Sequence, residues 1–443
     1  MENEPLSTAV SLRGSYSALQ EMLKGSAGSN DFFHYTSTEV LDKILSTACF
    51  RATNIYYLND SMEYLEGLKK LMSVVQGADT PNQTFIDCIN ELRYSGCNMW
   101  EGLYTISFST KEDNLQHWIT YAKESGVCIQ LDGEIMTRAS GAFSEDDEQK
   151  LIFIQKDRTQ KTVGEITSGN CLNPIDYGEP MITLSQLEES FKHYYLSDHV
   201  NADVTEHADF WENNRDILKR FLQLTASFFK IHDFDGEYEA RLSFFPLVDD
   251  TDEESETNNS VEFKYHRMPS GALRPYINIY FLQAPEKHYA CPIRSITIGP
   301  GGHQQVVFDS VVHRLKYGDC KLWQYGLKKK AECLSEYISL CTGHARKLLE
   351  QDTGDSEQSD IESLLKNLTN YLQDEWAYRA ECKVIVDRAG KLSLTQKEDG
   401  DSPVRPKIPE DAKTMLLLEK VLSEFFLSSS GVIVRKSACP YIF

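Results

Sequence analysis

A histidine, a tyrosine and a threonine stand side by side near the start of this chain. His34, Tyr35 and Thr36 offer an imidazole, a phenol and a hydroxyl, and Ser37 directly precedes a run with helical spacing of apolar residues. Backbone N–H groups at a helix N-terminus can bind a ligand beside such side chains. The pattern therefore indicates a ligand-binding strand end, and a purely structural histidine is the alternative.

A second stretch, far along the chain, carries the acids. Strand alternation in residues 237–241 places Glu237, Glu239 and Arg241 on one face and leaves Tyr238 and Ala240 for the other. Two carboxylates beside a guanidinium can acquire different pKa values, which acid–base and electrostatic catalysis both exploit. A solvated charged strand face is the alternative interpretation.

Polar residues at two intermediate positions could line the same site. Asn59 and Asp60 follow an extended aromatic run, and there a simple strand-to-helix turn is the alternative. Ser107 and Ser109 alternate along a strand and should face one side of it. These four residues are predicted to bind a ligand, with core packing as the alternative for the serine strand.

Two aromatic residues complete the predicted site. Trp118 and Tyr121 lie three apart in a short predicted helix, and this spacing places them on one face, where they could stack on a ring. Core packing is again the alternative. The sequence contains no phosphate-binding glycine loop, no zinc-protease motif and no metal-spaced Cys/His set, so no metal site is predicted.

Irregularly alternating helices and strands must position these residues, which favours the α+β class. The pattern predicts a helix over residues 37–47 with Ser37 or Thr38 as its cap, and strands over residues 50–58, 103–109 and 237–245. Residues 304–349 have a helical pattern, and Trp376–Val386 is predicted to be a strand.

Composition excludes some classes of function. The net charge of −22 argues against tight, unaided binding of nucleic acid, which needs a positive field. Eleven cysteines without a Cys-x-x-Cys pair are typical of reduced thiols in a cytoplasmic protein. The first residues do not have the pattern of a signal peptide, and no stretch is apolar enough to span a membrane.

The motifs resemble, in order, those of a widespread bacterial family, the domain of unknown function 2971. Ser61 stands where that family usually has proline, and Ile442 where a basic residue is common. The matching segments are Phe33-His34-Tyr35-Thr36-Ser37, Asn59-Asp60-x-x-Glu63, Ser107-Phe108-Ser109, Trp118-x-x-Tyr121-Ala122, Glu237-x-Glu239-x-Arg241, Ile293 to Pro300, and Ser437 to Tyr441.

The opening also resembles, at the level of fold, ADP-ribosyltransferases that act on DNA. The two resemblances together imply an α+β fold with a split mixed sheet, flanking helices and an ADP-ribosyltransferase-like core. The expected organisation is a polar segment at 1–30, the core at 31–304, a mainly helical insertion at 305–410, and a C-terminal helix and strand at 411–443 that return to the core.

The resemblance implies an enzyme that uses NAD as co-substrate, either transferring ADP-ribose to a protein or nucleic acid or hydrolysing NAD, in toxin or antiviral defence systems. Glu239, Glu237 and His34 are the expected catalytic residues. The alternative is a non-catalytic nucleotide-sensing or protein-interaction module. Acceptor and oligomeric state stay open. The expected NAD-binding residues are His34, Tyr35, Thr36, Asn59, Asp60, Ser107, Ser109, Trp118, Tyr121 and Arg241.

Overall fold

A computed structural model describes most of the chain from residue 32 onward. The predicted N-terminal segment 1–30, and the site residues Asn59 and Asp60, lie outside the described residues. The described residues are 32–58, 62–94, 102–122, 126–139, 151–154, 162–165, 171–174, 182–196, 209–230, 236–245, 263–268, 271–283, 288–352, 358–386, 391–396, 405–409 and 411–439.

Strands are distributed along the whole described chain. In chain order they are β1 Phe32–Ser37, β2 Cys49–Asn54, β3 Tyr104–Ser109, β4 Gly126–Leu131, β5 Leu151–Ile154, β6 Thr162–Glu165, β7 Cys171–Pro174, β8 Glu239–Phe244, β9 Lys264–Arg267, β10 Leu273–Gln283, β11 His288–Tyr289, β12 Ile293–Ile298, β13 Cys382–Val386, β14 Leu392–Gln396, β15 Phe425–Leu427 and β16 Ile433–Lys436.

The helices include short turns and two long ones. They are α1 Thr38–Thr47, α2 Glu63–Gln76, α3 Gln83–Tyr94, α4 Leu115–His117, α5 Gly133–Ala139, α6 Leu184–Leu196, α7 Phe210–Asn213, α8 Arg215–Ala226, α9 Gln304–Tyr317, α10 Leu327–Asp352, α11 Gln358–Arg379 and α12 Ala412–Leu422. A 3₁₀ turn follows β2 at Ile55–Tyr57, and a π-helix follows α4 at Trp118–Ala122. Helices and mostly antiparallel strands together confirm the predicted α+β class.

The chain divides into two compact units. The first comprises the described residues within Met1–Phe33, Cys49–Lys111 and Asp132–Tyr289; the second comprises those within His34–Ala48, Glu112–Leu131 and Ala290–Phe443. In the first unit, β3 pairs antiparallel with both β2 and β8, and β2 pairs with the long strand β10. The other edge of β10 pairs with β5.

Helices α2, α3, α6, α7 and α8 share one apolar core in the first unit. In α2 the buried residues Tyr64, Leu68, Leu71 and Val75 recur every three or four positions, so one stripe of the helix faces this core. The packing of this stripe against α8 determines where the first residue of α2, Glu63, is placed.

Gly67 allows α2 and α8 to approach closely. A Cβ atom built on Gly67 would lie 2.1 Å from the carbonyl oxygen of Ala226, which is backbone and cannot rotate away. Gly343, in the middle of α10, has open space at the same position. Of these two glycines, Gly67 is required by helix packing and Gly343 is not.

Gly67→Ala should lower the free energy of unfolding by about 1–3 kcal/mol, because the added methyl group overpacks the contact. Gly343→Ala, the matched control, should raise it by about 0.5–1 kcal/mol, since alanine restricts the unfolded chain and favours helix. Urea denaturation measures both. A Gly67→Ala variant as stable as the wild type would contradict this account of the helix contact.

The second unit contains the paired strands β4, β12, β16 and β15 and has its own apolar core. Strand β4 pairs antiparallel with β12, β12 pairs parallel with β16, and β15 pairs antiparallel with β16. Helices α10 and α11 pack with α12 and the hairpin β13–β14 around Leu334, Tyr337 and Trp376. Ser37 caps α1 as predicted, since its side chain accepts a hydrogen bond from the Val40 N–H.

Three predicted strands are at least two residues shorter in the structure. The strand predicted over residues 237–245 begins at Glu239, because Tyr238 has a positive φ of 46°, and ends at Phe244. The strand predicted over residues 50–58 ends at Asn54, whose side chain accepts from the Tyr56 N–H and caps the 3₁₀ turn. The strand predicted over Trp376–Val386 begins at Cys382, because Trp376 belongs to α11 and is fully buried in the core of the second unit. In the described part of the chain, no helix is both long and apolar enough to cross a membrane.

Candidate functional site

Five ionisable side chains meet in the interior of the first unit. They are Glu63, Lys230, Glu237, Glu239 and Arg241, each at most 9% exposed, and they are called the charge cluster below. Their formal charges sum to −1, because three carboxylates face two cations. Burying so many charges is costly unless each is paired, so the geometry of the pairs decides what the cluster can do.

Arg241 is the most deeply buried member. Its Nε donates to Glu239 Oε1 at 2.6 Å and its Nη2 donates to Glu239 Oε2 at 2.9 Å, which is a bidentate pair. The guanidinium also donates to the Glu63 carboxylate, and through Nη1 to the carbonyl oxygen of Ser227 at 2.9 Å. These bonds fix the plane of the Glu239 carboxylate.

Lys230 contacts all three acids of the cluster. Its ammonium lies 2.5 Å from Glu237 Oε2, 3.2 Å from Glu239 Oε2 and 3.2 Å from Glu63 Oε1. The carbonyl oxygen of Lys230 accepts a hydrogen bond from Lys70 on α2 at 2.6 Å. Both the backbone and the side chain of Lys230 are therefore held in place.

Local backbone geometry brings the acids together. Tyr238 adopts a positive φ of 46°, uncommon for a residue other than glycine, and its exposed ring lies under Lys111 at 4.5 Å. This turn immediately precedes β8 and lets Glu237 and Glu239 reach the same ammonium. Glu63 is the first residue of α2, where the helix dipole favours a carboxylate.

Strand β3 brings the two predicted serines beside the cluster. Ser107 is opposite Arg241 and Ser109 is opposite Glu239 in the β3–β8 register. Ser107 is exposed and its hydroxyl is hydrogen-bonded to the Glu239 carboxylate. Ser109 is buried, donates to the Glu237 carbonyl oxygen at 3.1 Å and accepts from the Lys111 N–H at 3.1 Å. Ser107 thus offers a link between solvent and Glu239, whereas Ser109 holds the backbone.

The two cations keep Glu239 ionised. Burial alone would raise the pKa of this carboxyl group, but the charges of Arg241 and Lys230, with hydrogen bonds from Arg241 and Ser107, lower it from 4.5 to about 2. In return, the charges of Glu239 and Glu63 overcome the effect of burial and raise the pKa of Lys230 and of Arg241. At neutral pH Glu239 is therefore a fixed anion rather than a proton carrier.

This shift predicts acid sensitivity of the fold. The unfolded chain protonates Glu239 near pH 4.5 and the folded protein only near pH 2, so this stabilisation is present above pH 4.5 and is lost as the pH falls toward 2. The melting temperature, measured over that range, should fall more steeply for the wild type than for Glu239→Gln. Equal slopes for the two proteins would contradict the lowered pKa.

The predicted aromatic residues Tyr35, Trp118 and Tyr121 belong to the second unit. Tyr35 on β1 packs edge-on against Trp118, with ring centroids 5.0 Å apart, and tilts against His117 at 4.7 Å. The Tyr35 hydroxyl accepts a hydrogen bond from the Asn114 N–H at 2.9 Å. The Trp118 indole donates to Asp113 at 2.8 Å, and Asp113 also accepts from the N–H of Ala438 at 2.9 Å.

Trp118 and Tyr121 do not share a face as predicted. Trp118 is fully buried, whereas Tyr121 is 40% exposed. The segment Trp118–Ala122 is a π-helix, in which residues three apart no longer align as they do in an α-helix. His117, which the sequence interpretation did not single out, contacts both Tyr35 and Tyr121. The aromatic cluster therefore presents Tyr121, not Trp118, to solvent.

Two of the remaining predicted residues, His34 and Thr36, are on β1. His34 is half-buried and Thr36 is buried, and alternation puts both on the face of β1 opposite to Tyr35. Asn59 and Asp60 lie outside the described residues. Within the described ranges, no three or more His, Cys, Asp or Glu residues are arranged to hold a metal ion.

Comparison with known proteins adds no relative. No protein-family model, curated protein or solved structure matches this chain. The function must therefore be argued from the chemistry of the charge cluster and the aromatic residues.

Sequence reasoning missed two members of the cluster. Glu63 entered only as the last residue of the Asn59-Asp60-x-x-Glu63 motif, and Lys230, four residues beyond the end of α8 at Ala226, was not singled out. One signal was present for Lys230, since it follows Phe228 and Phe229 in an apolar setting where a lysine must find a partner. Only the fold could identify that partner.

Proposed function

We propose that this protein is an NAD-dependent ADP-ribosyltransferase-like enzyme, which transfers ADP-ribose to a macromolecule or hydrolyses NAD. The observation that carries the proposal is the pairing of β3 with β8, which sets the exposed hydroxyl of Ser107 against the Glu239 carboxylate. The resemblance to ADP-ribosyltransferases implies that a serine-bearing strand and a glutamate-bearing strand contribute to one site. The pairing of β3 with β8 supports this expectation.

The reaction requires a stable anion beside the ribose. The bond between ribose C1′ and the nicotinamide nitrogen breaks, its electron pair leaves with nicotinamide, and C1′ acquires oxocarbenium character. Glu239 would stabilise that positive charge, because it is ionised and its carboxylate plane is fixed by Arg241. Water or an acceptor group then bonds to C1′ and releases a proton.

The net negative charge of the charge cluster also favours stabilisation of an oxocarbenium-like ribose. An ion cluster with a formal charge of −1 attracts a developing cation more strongly than a balanced cluster would. Glu237, bound to Lys230, is the second proposed catalytic acid. Access to the cluster would be from the side of Ser107, the exposed member of the strand pair.

The other proposed contacts come from the resemblance. His34 would bond a ribose hydroxyl, and Tyr35, Trp118 or Tyr121 would stack on a ring of NAD. Tyr121 is the exposed member of these three aromatic side chains and is therefore the best placed to meet a ligand. Asn59 and Asp60 also belong to the expected NAD-binding set. Ser109 and Arg241, expected in the same set, are buried and bonded within the protein, so they would support Glu239 and its strand rather than touch NAD.

The proposal is tested by incubating the protein with NAD alone and with protein, DNA and RNA acceptors, and measuring free nicotinamide. Release above the rate in protein-free buffer is expected in at least one condition. The absence of nicotinamide release in every condition, from protein shown to be folded by a cooperative melting transition, would refute the enzymatic function.

A non-catalytic nucleotide-binding module is the second candidate, and one observation favours it. Each carboxylate of the charge cluster already has a cationic partner, so the cluster is stable without a ligand. This candidate predicts that NAD or a related nucleotide raises the melting temperature without nicotinamide release. Turnover that depends on Glu239 would exclude it.

A further inference from the structure

We infer that Lys230 is a positioning residue for Glu239, an assignment that rests on the proposed function. The ammonium of Lys230 bridges the three acids of the charge cluster and shares Glu239 Oε2 with Arg241 Nη2, at 3.2 Å and 2.9 Å. One oxygen of the proposed catalytic carboxylate thus has a cation on each of two sides. Neither the sequence motifs nor their spacing assigns Lys230 any role.

The position of Lys230 gives it an effect that Arg241 cannot replace. Arg241 already forms ion pairs with both Glu63 and Glu239. Without the ammonium, one guanidinium would face three carboxylates, and Glu237 would lose the cation that lies 2.5 Å away. The Glu239 carboxylate would then be attracted from one side only, and its ionised form would be less favoured.

The charged groups around Lys230 come from two elements and the segment before β8. Glu63 and Lys70 belong to α2, Glu239 and Arg241 belong to β8, and Glu237 precedes β8. Lys70 donates to the backbone carbonyl oxygen of Lys230 and so fixes the chain from which the ammonium extends. Removing the Lys230 side chain leaves that backbone contact in place, so the variant isolates the charge.

The first test follows the pH dependence of nicotinamide release. In Lys230→Met, the acidic limb of the kcat profile should move to higher pH by about one unit, because protonation of Glu239 becomes easier. The KM for NAD should change less than kcat, since the proposed effect of Lys230 passes through the charge of Glu239, which acts on the transition state. Lys230→Arg should restore the wild-type profile in large part.

A matched control separates this effect from the loss of any lysine. Lys219 lies on α8 near the surface and pairs with Glu91 and Asp216. Lys219→Met should leave the pH profile unchanged. A Lys230→Met enzyme that stays folded with the wild-type profile would overturn the inference.

A second measurement does not depend on turnover. The double variant Lys230→Met/Glu237→Gln retains Glu63, Glu239 and Arg241, whose formal charges sum to −1 as in the complete cluster. Because the net charge of the cluster is unchanged, this double variant should stay folded. Its titration is compared with that of Glu237→Gln alone. Carbon-13 NMR of the glutamate carboxyl groups should show Glu239 titrating at higher pH in the double variant than in the single one.

The outcomes separate the two proposals. If the wild type releases no nicotinamide, the proposed enzymatic function fails, and the NMR titration still decides whether Lys230 controls the ionisation of Glu239. If the folded double variant titrates Glu239 at the same pH as Glu237→Gln, the positioning role of Lys230 is refuted, whatever the activity of the wild type.

Discussion

Glu239→Gln should lower kcat for nicotinamide release by about 10²- to 10³-fold, the usual effect of removing one electrostatic contact to a transition state. Glutamine preserves the shape of the side chain but removes the negative charge that would stabilise the oxocarbenium-like ribose. The KM for NAD should change little, because the charge at C1′ develops only in the transition state. Steady-state kinetics with quantified nicotinamide measures both parameters.

Glu239→Gln should still fold at neutral pH but melt at a lower temperature than the wild type, because the amide lacks the charge that stabilises the folded protein. Losing one carboxylate changes the formal charge of the cluster from −1 to zero, so each of the two cations retains an acid. Glu63→Gln makes the same change of charge in the same cluster and is the matched comparison. Equal losses of kcat in the two variants would assign the effect to the net charge of the cluster rather than to the position of Glu239.

Arg241→Met should have the largest effect on stability, lowering the free energy of unfolding by about 3–5 kcal/mol. The guanidinium is 1% exposed and bonds to Glu239, Glu63 and the Ser227 carbonyl oxygen. Its removal leaves three buried carboxylates with Lys230 as their cation within the cluster. Methionine fills part of the volume but cannot donate a hydrogen bond, so the desolvated acids must take up protons or unfold the region.

Urea denaturation with a two-state fit gives the change for Arg241→Met. Arg215→Met, at a surface pair with Glu91 and Glu212, is the control and should change stability by less than about 1 kcal/mol. A decrease for Arg241→Met as small as that of the control would mean that the cluster does not hold the first unit together. We expect Glu239→Gln to lose mainly turnover and Arg241→Met to lose mainly stability, which would separate a catalytic role of Glu239 from a structural role of Arg241.

The buried location of the charge cluster bears on why it exists. Replacing a buried ion network with apolar residues of similar volume is often neutral or stabilising in proteins. Stability alone therefore does not explain five ionisable groups in one interior site. A carboxylate whose pKa is lowered strongly by specific partners, next to an exposed hydroxyl, is the kind of arrangement found at functional sites.

Local patterns in the sequence predicted local structure well. The residues predict alternation at Glu239 and Arg241 and at Ser107 and Ser109, and the β3–β8 register agrees with both pairs. Glu237 was predicted on the same strand face but precedes β8 and reaches the cluster through the turn at Tyr238. The cap at Ser37 followed from the same kind of reasoning. Helix caps and strand alternation depend on residues that are close in the chain, so a short segment of sequence is enough to predict them.

The errors arose where tertiary packing overrides local pattern. Trp376 was predicted to begin a strand, but it extends α11 because its indole is buried among the helices of the second unit and donates to the Ser428 carbonyl oxygen at 3.0 Å. Trp118 and Tyr121 were expected on one face, and a π-helix changes the spacing. Periodicity alone cannot distinguish these alternatives.

By itself, then, the sequence determined the α+β class, the strand faces of Glu239, Arg241 and the two serines, and the resemblance from which NAD chemistry was expected. The tertiary structure decided that Glu239 is a buried, ionised group rather than part of a solvated charged face. It did so by bringing Lys230 and Glu63, distant in the chain, within bonding range of β8. Whether a strand glutamate is exposed, proton-carrying or permanently charged depends on which cations the fold places around it.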